Sequence, residues 1–95
     1  PVFPGGDQGL FGWLSQNIRY PAEAQKKGIQ GKVLVEYVID TDGSIKNARI
    51  SRSVNELLDK EALRVINAMP NWTPGKHNDK VVKVRYTLPI QFRLQ

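Results

Sequence analysis

Apolar residues recur at every second position through residues 80–95: Val82, Val84, Tyr86, Leu88, Ile90, Phe92 and Leu94, interleaved with Lys83, Arg85, Thr87, Pro89, Gln91 and Arg93. A period of two marks a β-strand with one face in a core and the other in water, and β-branched and aromatic residues suit that pleated surface. At about 3.3 Å per residue the stretch would reach roughly 45–50 Å, so part of it is expected to overhang the domain or lie at an edge. Pro89 points to the edge, because proline has no N–H to give a ladder and sits with its nitrogen outward. Backbone groups alternate in the side they face, so Val81, Lys83, Arg85 and Thr87 share the outward side with Pro89. That edge is either guarded by its Lys and Arg side chains or open to another strand. On the pattern alone, the guarded edge is preferred.

The rest of the chain reads as shorter elements. Residues 1–9 hold the Pro4-Gly5-Gly6 cluster and are expected to form an irregular arm. Asp7 is expected to cap a helix over 8–17, with Leu10, Phe11, Trp13, Leu14 and Ile18 as its apolar stripe. Tyr20-Pro21 ends it, Pro21 opens a second short helix over 22–27, and Gly28 stops that one. Residues 32–40 alternate, with Val33, Val35, Tyr37 and Ile39 on one face, and Asp42-Gly43 turns the chain into a weaker strand over 44–51. The change of parity between Ile45 and Ala48 suggests a bulge in it. Asn55 caps a helix to about residue 69, striped by Leu58, Ala62, Val65, Ile66 and Met69, and residues 71–79 read as a loop. The order ααββαβ predicts one α+β domain: a small three-stranded antiparallel sheet, helices on one face, and a long C-terminal edge strand paired beside the first.

Composition narrows the functions. Ninety-five residues suffice for one core, and the absence of cysteine removes thiolate chemistry and disulfides. No apolar run approaches membrane-spanning length. The chain opens at Pro1 without a methionine, which reads as a fragment or a mature product. The net charge of +5 is compatible with an acidic partner or nucleic acid. Candidate chemistry is sparse. Asp40-Thr41-Asp42-Gly43 lacks the glycine and glutamate that a calcium loop needs at its sixth and twelfth places. Gly28-Ile29-Gln30-Gly31 leads from a helix into a strand, whereas the nucleic-acid loop of that spacing joins two helices. His77 is the single histidine and has no second ligand near it, and no carboxylate pair sits in an evident apolar setting. No metal, cofactor or active site is expected.

Motifs along almost the whole chain supply a resemblance. Tyr20-Pro21-Ala22-x-Ala24, Gly28-x-x-Gly31-x-Val33-x-Val35, Asp42-Gly43-x-Ile45, Leu58-Asp59-x-x-Ala62-Leu63, Met69-Pro70-x-Trp72-x-Pro74-Gly75, Val82-x-Val84 and Pro89-Ile90-x-Phe92 follow one another in register. In that order they resemble the C-terminal domain of the TonB family, and Phe3-Pro4-Gly5-Gly6 resembles the variant common in Bacteroidetes.

The resemblance implies a periplasmic domain of an inner-membrane-anchored energy transducer that works with ExbB and ExbD through a part ahead of it. Such a domain takes the TonB box of an outer-membrane transporter as an added strand and passes on force drawn from the proton-motive force. It turns the preference at Val81, Lys83, Arg85 and Thr87 from guarded edge to docking edge. It also carries over Arg19, Tyr20, Pro21 and Ala22 as contacts, although relatives often have Arg where this chain has Glu23. No nucleic acid is expected as partner. A monomer or a strand-exchanged dimer is expected, since open edges permit exchange. Two alternatives stay open: the same domain attached to a membrane sensor or peptidase, and a basic nucleic-acid binder.

Overall fold

A computed structural model describes residues 1–94. Three antiparallel strands form the main sheet in the order β2-β1-β5: β1 (Gly31–Ile39), β2 (Ile45–Arg52) and β5 (Val84–Phe92). Three helices accompany them: α1 (Gly6–Asn17), α2 (Ala22–Lys26) and α3 (Glu56–Asn67). The expected three-stranded α+β architecture is therefore present, with the last strand beside the first.

Alternation explains the layers. Val33, Val35, Tyr37 and Ile39 stand opposite Ile90, Leu88, Tyr86 and Val84, and all four β1 side chains are fully buried. From α3, Leu58, Ala62, Val65 and Ile66 meet that face, so the helical stripe and the strand stripe close one core. Asn55 caps α3 as expected, its side chain accepting the Leu57 N–H at 2.9 Å. The other face of the sheet carries Glu36, Arg49, Arg85 and Thr87.

The β1–β2 hairpin turns at Gly43, whose φ is +88°. A Cβ there would stand 2.0 Å from the Trp72 carbonyl oxygen, and the Trp72 N–H donates to the Gly43 carbonyl at 2.8 Å. Glycine thus serves both the turn and the close approach of a second loop. The expected bulge is present as well. Glu36 faces Arg49 and Val38 faces Lys46, so one residue of β1 faces two of β2, and Asn47 has a φ of +53°.

Three local expectations change. Residues 80–95 are not one strand: β4 (Lys80–Val82) is separated from β5 at Lys83, and Gln95 lies outside the described residues. The expected loop contains β3 (Gly75–His77), which pairs with β4 so that His77 faces Lys80 and Gly75 faces Val82. The overhanging half of the strand is thus covered by a folded-back ribbon, turned at Asn78 and Asp79 with φ of +51° and +64°. Second, the N-terminal residues are pinned. Val2 and Thr73 exchange backbone hydrogen bonds of 3.0 and 2.7 Å, and Phe3 is buried against Trp72 and Trp13 at ring distances of 5.4 and 6.1 Å. An apolar side chain inside an aromatic cluster fixes an arm that its Pro-Gly-Gly content alone would leave loose. Third, α1 starts after Gly5 with no side-chain cap, so Asp7 lies within the first turn and favours the helix only through its charge at the positive end.

Candidate docking edge

Among the described residues, β5 is paired on one side only. Leu34 lies opposite Pro89, and a proline cannot give the ladder a hydrogen bond, so this is a non-hydrogen-bonded pair. Alternation then sets every other residue. Val84, Tyr86, Leu88, Ile90 and Phe92 turn their backbone groups toward β1, while Arg85, Thr87, Pro89 and Gln91 turn theirs away. Among the described residues, no backbone hydrogen bond outside the sheet reaches Arg85, Thr87 or Gln91.

The same phase holds in the ribbon. A two-residue turn closes on a hydrogen-bonded pair, here His77 and Lys80, so the backbone groups of Lys80 and Val82 face β3 and those of Val81 face away. Even-numbered residues face β3 and then β1, and odd-numbered ones face the open side. Of the four edge residues expected from sequence, Arg85 and Thr87 lie on β5, Val81 on the separate ribbon, and Lys83 between them.

Charge around the edge is basic with one exception. The Glu36 carboxylate on the open sheet face lies 2.7 Å from the Arg49 guanidinium and 3.7 Å from that of Arg85, linking all three strands. Both arginines are largely exposed, so these pairs orient side chains more than they stabilise the fold.

The Arg19–Ala22 segment meets β5 at its other end. The Tyr20 hydroxyl donates to the Ile29 carbonyl, and its ring stands edge-on to Phe92 at 5.6 Å. Pro21 is the N-cap of α2 and Ala22 its exposed first residue. Thr87 and Phe92 are separated by roughly 17 Å of strand, so the two expected groups stand apart, and Arg19 and Pro21 line a surface hollow with Leu57, Lys60 and Glu61 of α3. The Arg19 N–H donates to a Glu61 oxygen at 2.7 Å, and Arg64 holds the same carboxylate at 2.6 Å. Desolvation pushes the Glu61 carboxyl up, but the Arg64 and Arg19 hydrogen bonds together outweigh it and leave the group below the usual carboxylate range.

One feature of this edge has no counterpart among the sequence-derived contacts. Phe11, assigned to the core stripe of α1, is 64% exposed. With Leu14 and Ile18 it faces Pro89, Ile90 and Gln91 across a cleft of about 400 Å³. Its signal was ambiguous, since Phe11 sits next to Leu10 and only one of two adjacent helical residues can point fully inward.

The remaining candidates have structural places. Trp72 is buried among Phe3, Tyr37 and Tyr86, His77 lies exposed on β3, and Gly28, with φ of +67°, follows the end of α2. Among the described residues no three acidic or histidine side chains converge as metal ligands, and no helix is long and apolar enough to cross a membrane.

Comparison with known proteins identifies the family and the fold. The family described as Gram-negative bacterial TonB protein C-terminal matches residues 16–94. A TonB protein of Helicobacter pylori is 32% identical over 83 residues, which is 86% of this chain and 28% of that protein. One from Vibrio cholerae is 37% identical over 78 residues, 81% of this chain and 32% of that one. The chain therefore spans less than a third of the curated relatives it matches. The solution NMR structure of the Helicobacter pylori TonB C-terminal domain superposes with a TM-score of 0.68 at 28% identity, covering 88% of this chain and 76% of that one.

Proposed function

This chain belongs to the family of Gram-negative bacterial TonB C-terminal domains, and from that premise we propose that it is a force-transmitting docking domain rather than an enzyme. It takes the TonB box, an extended N-terminal segment of an outer-membrane transporter, as a fourth strand along the open edge of β5. Arg85 and Thr87 give the backbone bonds. Val81 and Lys83 flank them on the ribbon side, and Arg19, Tyr20, Pro21 and Ala22 border the other end. A part of the protein ahead of this domain anchors it in the inner membrane and works with ExbB and ExbD, so that the domain acts in the periplasm.

The observation that carries this reading is the unpaired outward row of β5, in phase with Pro89. Backbone pairing grips an extended segment with little dependence on its side chains, which suits one domain serving several transporters. Tension along an added strand loads its ladder bonds together, each worth about 0.5–1.5 kcal/mol net.

An amide chemical-shift titration tests it. Labelled domain is mixed with a peptide from the extreme N-terminus of a TonB-dependent transporter. The reading expects shifts at Arg85 and Thr87 and at the 19–22 segment. A peptide N-methylated at alternate amides on the pairing side should lose binding, while side-chain replacements outside the cleft region should be tolerated. Absence of shifts at high peptide excess would overturn it.

A further inference from the structure

We infer that the cleft between α1 and β5 is a side-chain subsite of the docking edge, and that it takes one bulky apolar side chain of the added peptide strand. The inference rests on the docking reading above and adds a requirement to it.

Three observations converge. First, Phe11 is the largest strongly exposed apolar side chain among the described residues, and it stands on the helix face of the sheet beside the open edge. With Leu14 and Ile18 below it and Pro89 and Ile90 opposite, the cleft has an apolar floor and is open to water. Its volume of about 400 Å³ exceeds what one large side chain needs.

Second, the edge is chemically weak at this point. Pro89 faces outward and has no N–H, so between Thr87 and Gln91 the edge offers only a carbonyl. An added strand that pairs well at Arg85 and Thr87 loses a bond as it passes Pro89. An apolar contact at the same level supplies the missing hold.

Third, the alternation says which side chain enters. A residue placed beside Thr87 points to the open face, with Thr87, Arg85 and Glu36. The residue beside Ile90 points to the helix face, toward the wall of the cleft formed by Phe11, Leu14 and Ile18, while Lys32, Pro89 and Gln91 line it from the open-face side. The selected position is therefore three residues along from the one beside Thr87.

Charge favours a peptide of defined character as occupant. Lys32 stands at the cleft rim, and Arg85 and Lys83 lie further along the edge, while none of the cleft-lining residues is acidic. The fitting partner is an extended segment with a large aliphatic or aromatic residue among acidic or uncharged neighbours. An anionic membrane surface is the rival occupant for an exposed phenylalanine beside a lysine.

The test is a double-mutant cycle. Phe11→Ala should leave the fold intact because the ring is mostly in water, which an amide fingerprint spectrum checks. Wild-type domain and Phe11→Ala are titrated with a transporter N-terminal peptide and its single-alanine variants. One apolar position should weaken binding about tenfold when cut to alanine, as expected for partial burial of a large side chain. Phe11→Ala should cost a similar factor, and the two together little more than either alone. If the peptide binds both proteins equally and no position couples to Phe11, the subsite is refuted while strand docking stands. If wild-type domain binds no peptide, the docking reading itself falls. Loss of binding to anionic vesicles in Phe11→Ala, with peptide affinity unchanged, would also overturn the subsite in favour of a membrane contact.

Discussion

A pair of proline substitutions tests the phase of β5. Thr87 is exposed and its backbone groups face away from β1, as those of Pro89 do two residues later. Thr87→Pro removes no ladder bond and no core contact, so stability should fall by less than about 1 kcal/mol, or about 4–8 °C in Tm at most. Tyr86→Pro, one residue earlier, should behave differently. Tyr86 pairs with Tyr37, and its ring lies 5.3 Å from Trp72 and 5.7 Å from Tyr37. Orphaning a ladder carbonyl costs about 1–3 kcal/mol, and each lost aromatic pair about 0.5–1.5 kcal/mol. The sum, about 2–6 kcal/mol, is a large fraction of the roughly 5–14 kcal/mol expected for a domain of this size. Urea unfolding followed by tryptophan fluorescence reads both, since Trp72 sits in the affected cluster. Thr87→Pro should also weaken peptide binding about two- to twelvefold through one lost donor. Equal damage from the two substitutions, or undiminished peptide affinity in Thr87→Pro, would refute the assigned phase.

Three further outcomes follow from the packing. Phe3→Ala should destabilise the domain by about 3–5 kcal/mol in the same assay, because Phe3 is 4% exposed within the aromatic cluster; a negligible change would mean that Phe3 does not hold the N-terminal residues in place. Tyr37→Phe should leave stability unchanged or slightly higher, since the Tyr37 hydroxyl is buried without a hydrogen-bond partner among the described residues; burial first, and Tyr86 nearby second, push that phenol well above its usual range, so no titration near neutrality accompanies it. Glu61, held below the usual carboxylate range, contributes stability that is present above its unfolded pKa and is lost as pH falls through the lower folded one. Unfolding curves of wild type and Glu61→Gln should therefore differ most near neutral pH and converge in acid, below roughly pH 4; a gap that widens on acidification would reverse the sign.

Much of this was legible because period-two patterns bury one face. The alternation over 32–40 and 80–95 identified the two core strands, though not the break at Lys83, and Pro89 was the one signal for which backbone groups turn outward. Two elements escaped for physical reasons. The β3–β4 ribbon turns on Asn78-Asp79 without the glycine that usually marks such a turn, and its strands are only three residues long. The arm is held by Phe3 reaching Trp72, a contact between distant parts of the chain that no local pattern encodes. At the open edge of β5, Pro89 was the signal from which the outward phase of Arg85 and Thr87 was expected, while Val81 and Lys83 lie off that strand. The Phe11 cleft had no such signal, because it depends on how α1 rolls against β5.

Amide hydrogen exchange of Arg85 and Thr87, with and without a transporter N-terminal peptide, addresses strand addition most directly. In the free domain these two amides should exchange fast while Val84, Tyr86 and Leu88 are protected, since only the latter donate to β1. Saturating peptide should protect Arg85 and Thr87 as well. Slow exchange at both in the free domain, or unchanged fast exchange in the saturated complex, would contradict strand addition at this edge.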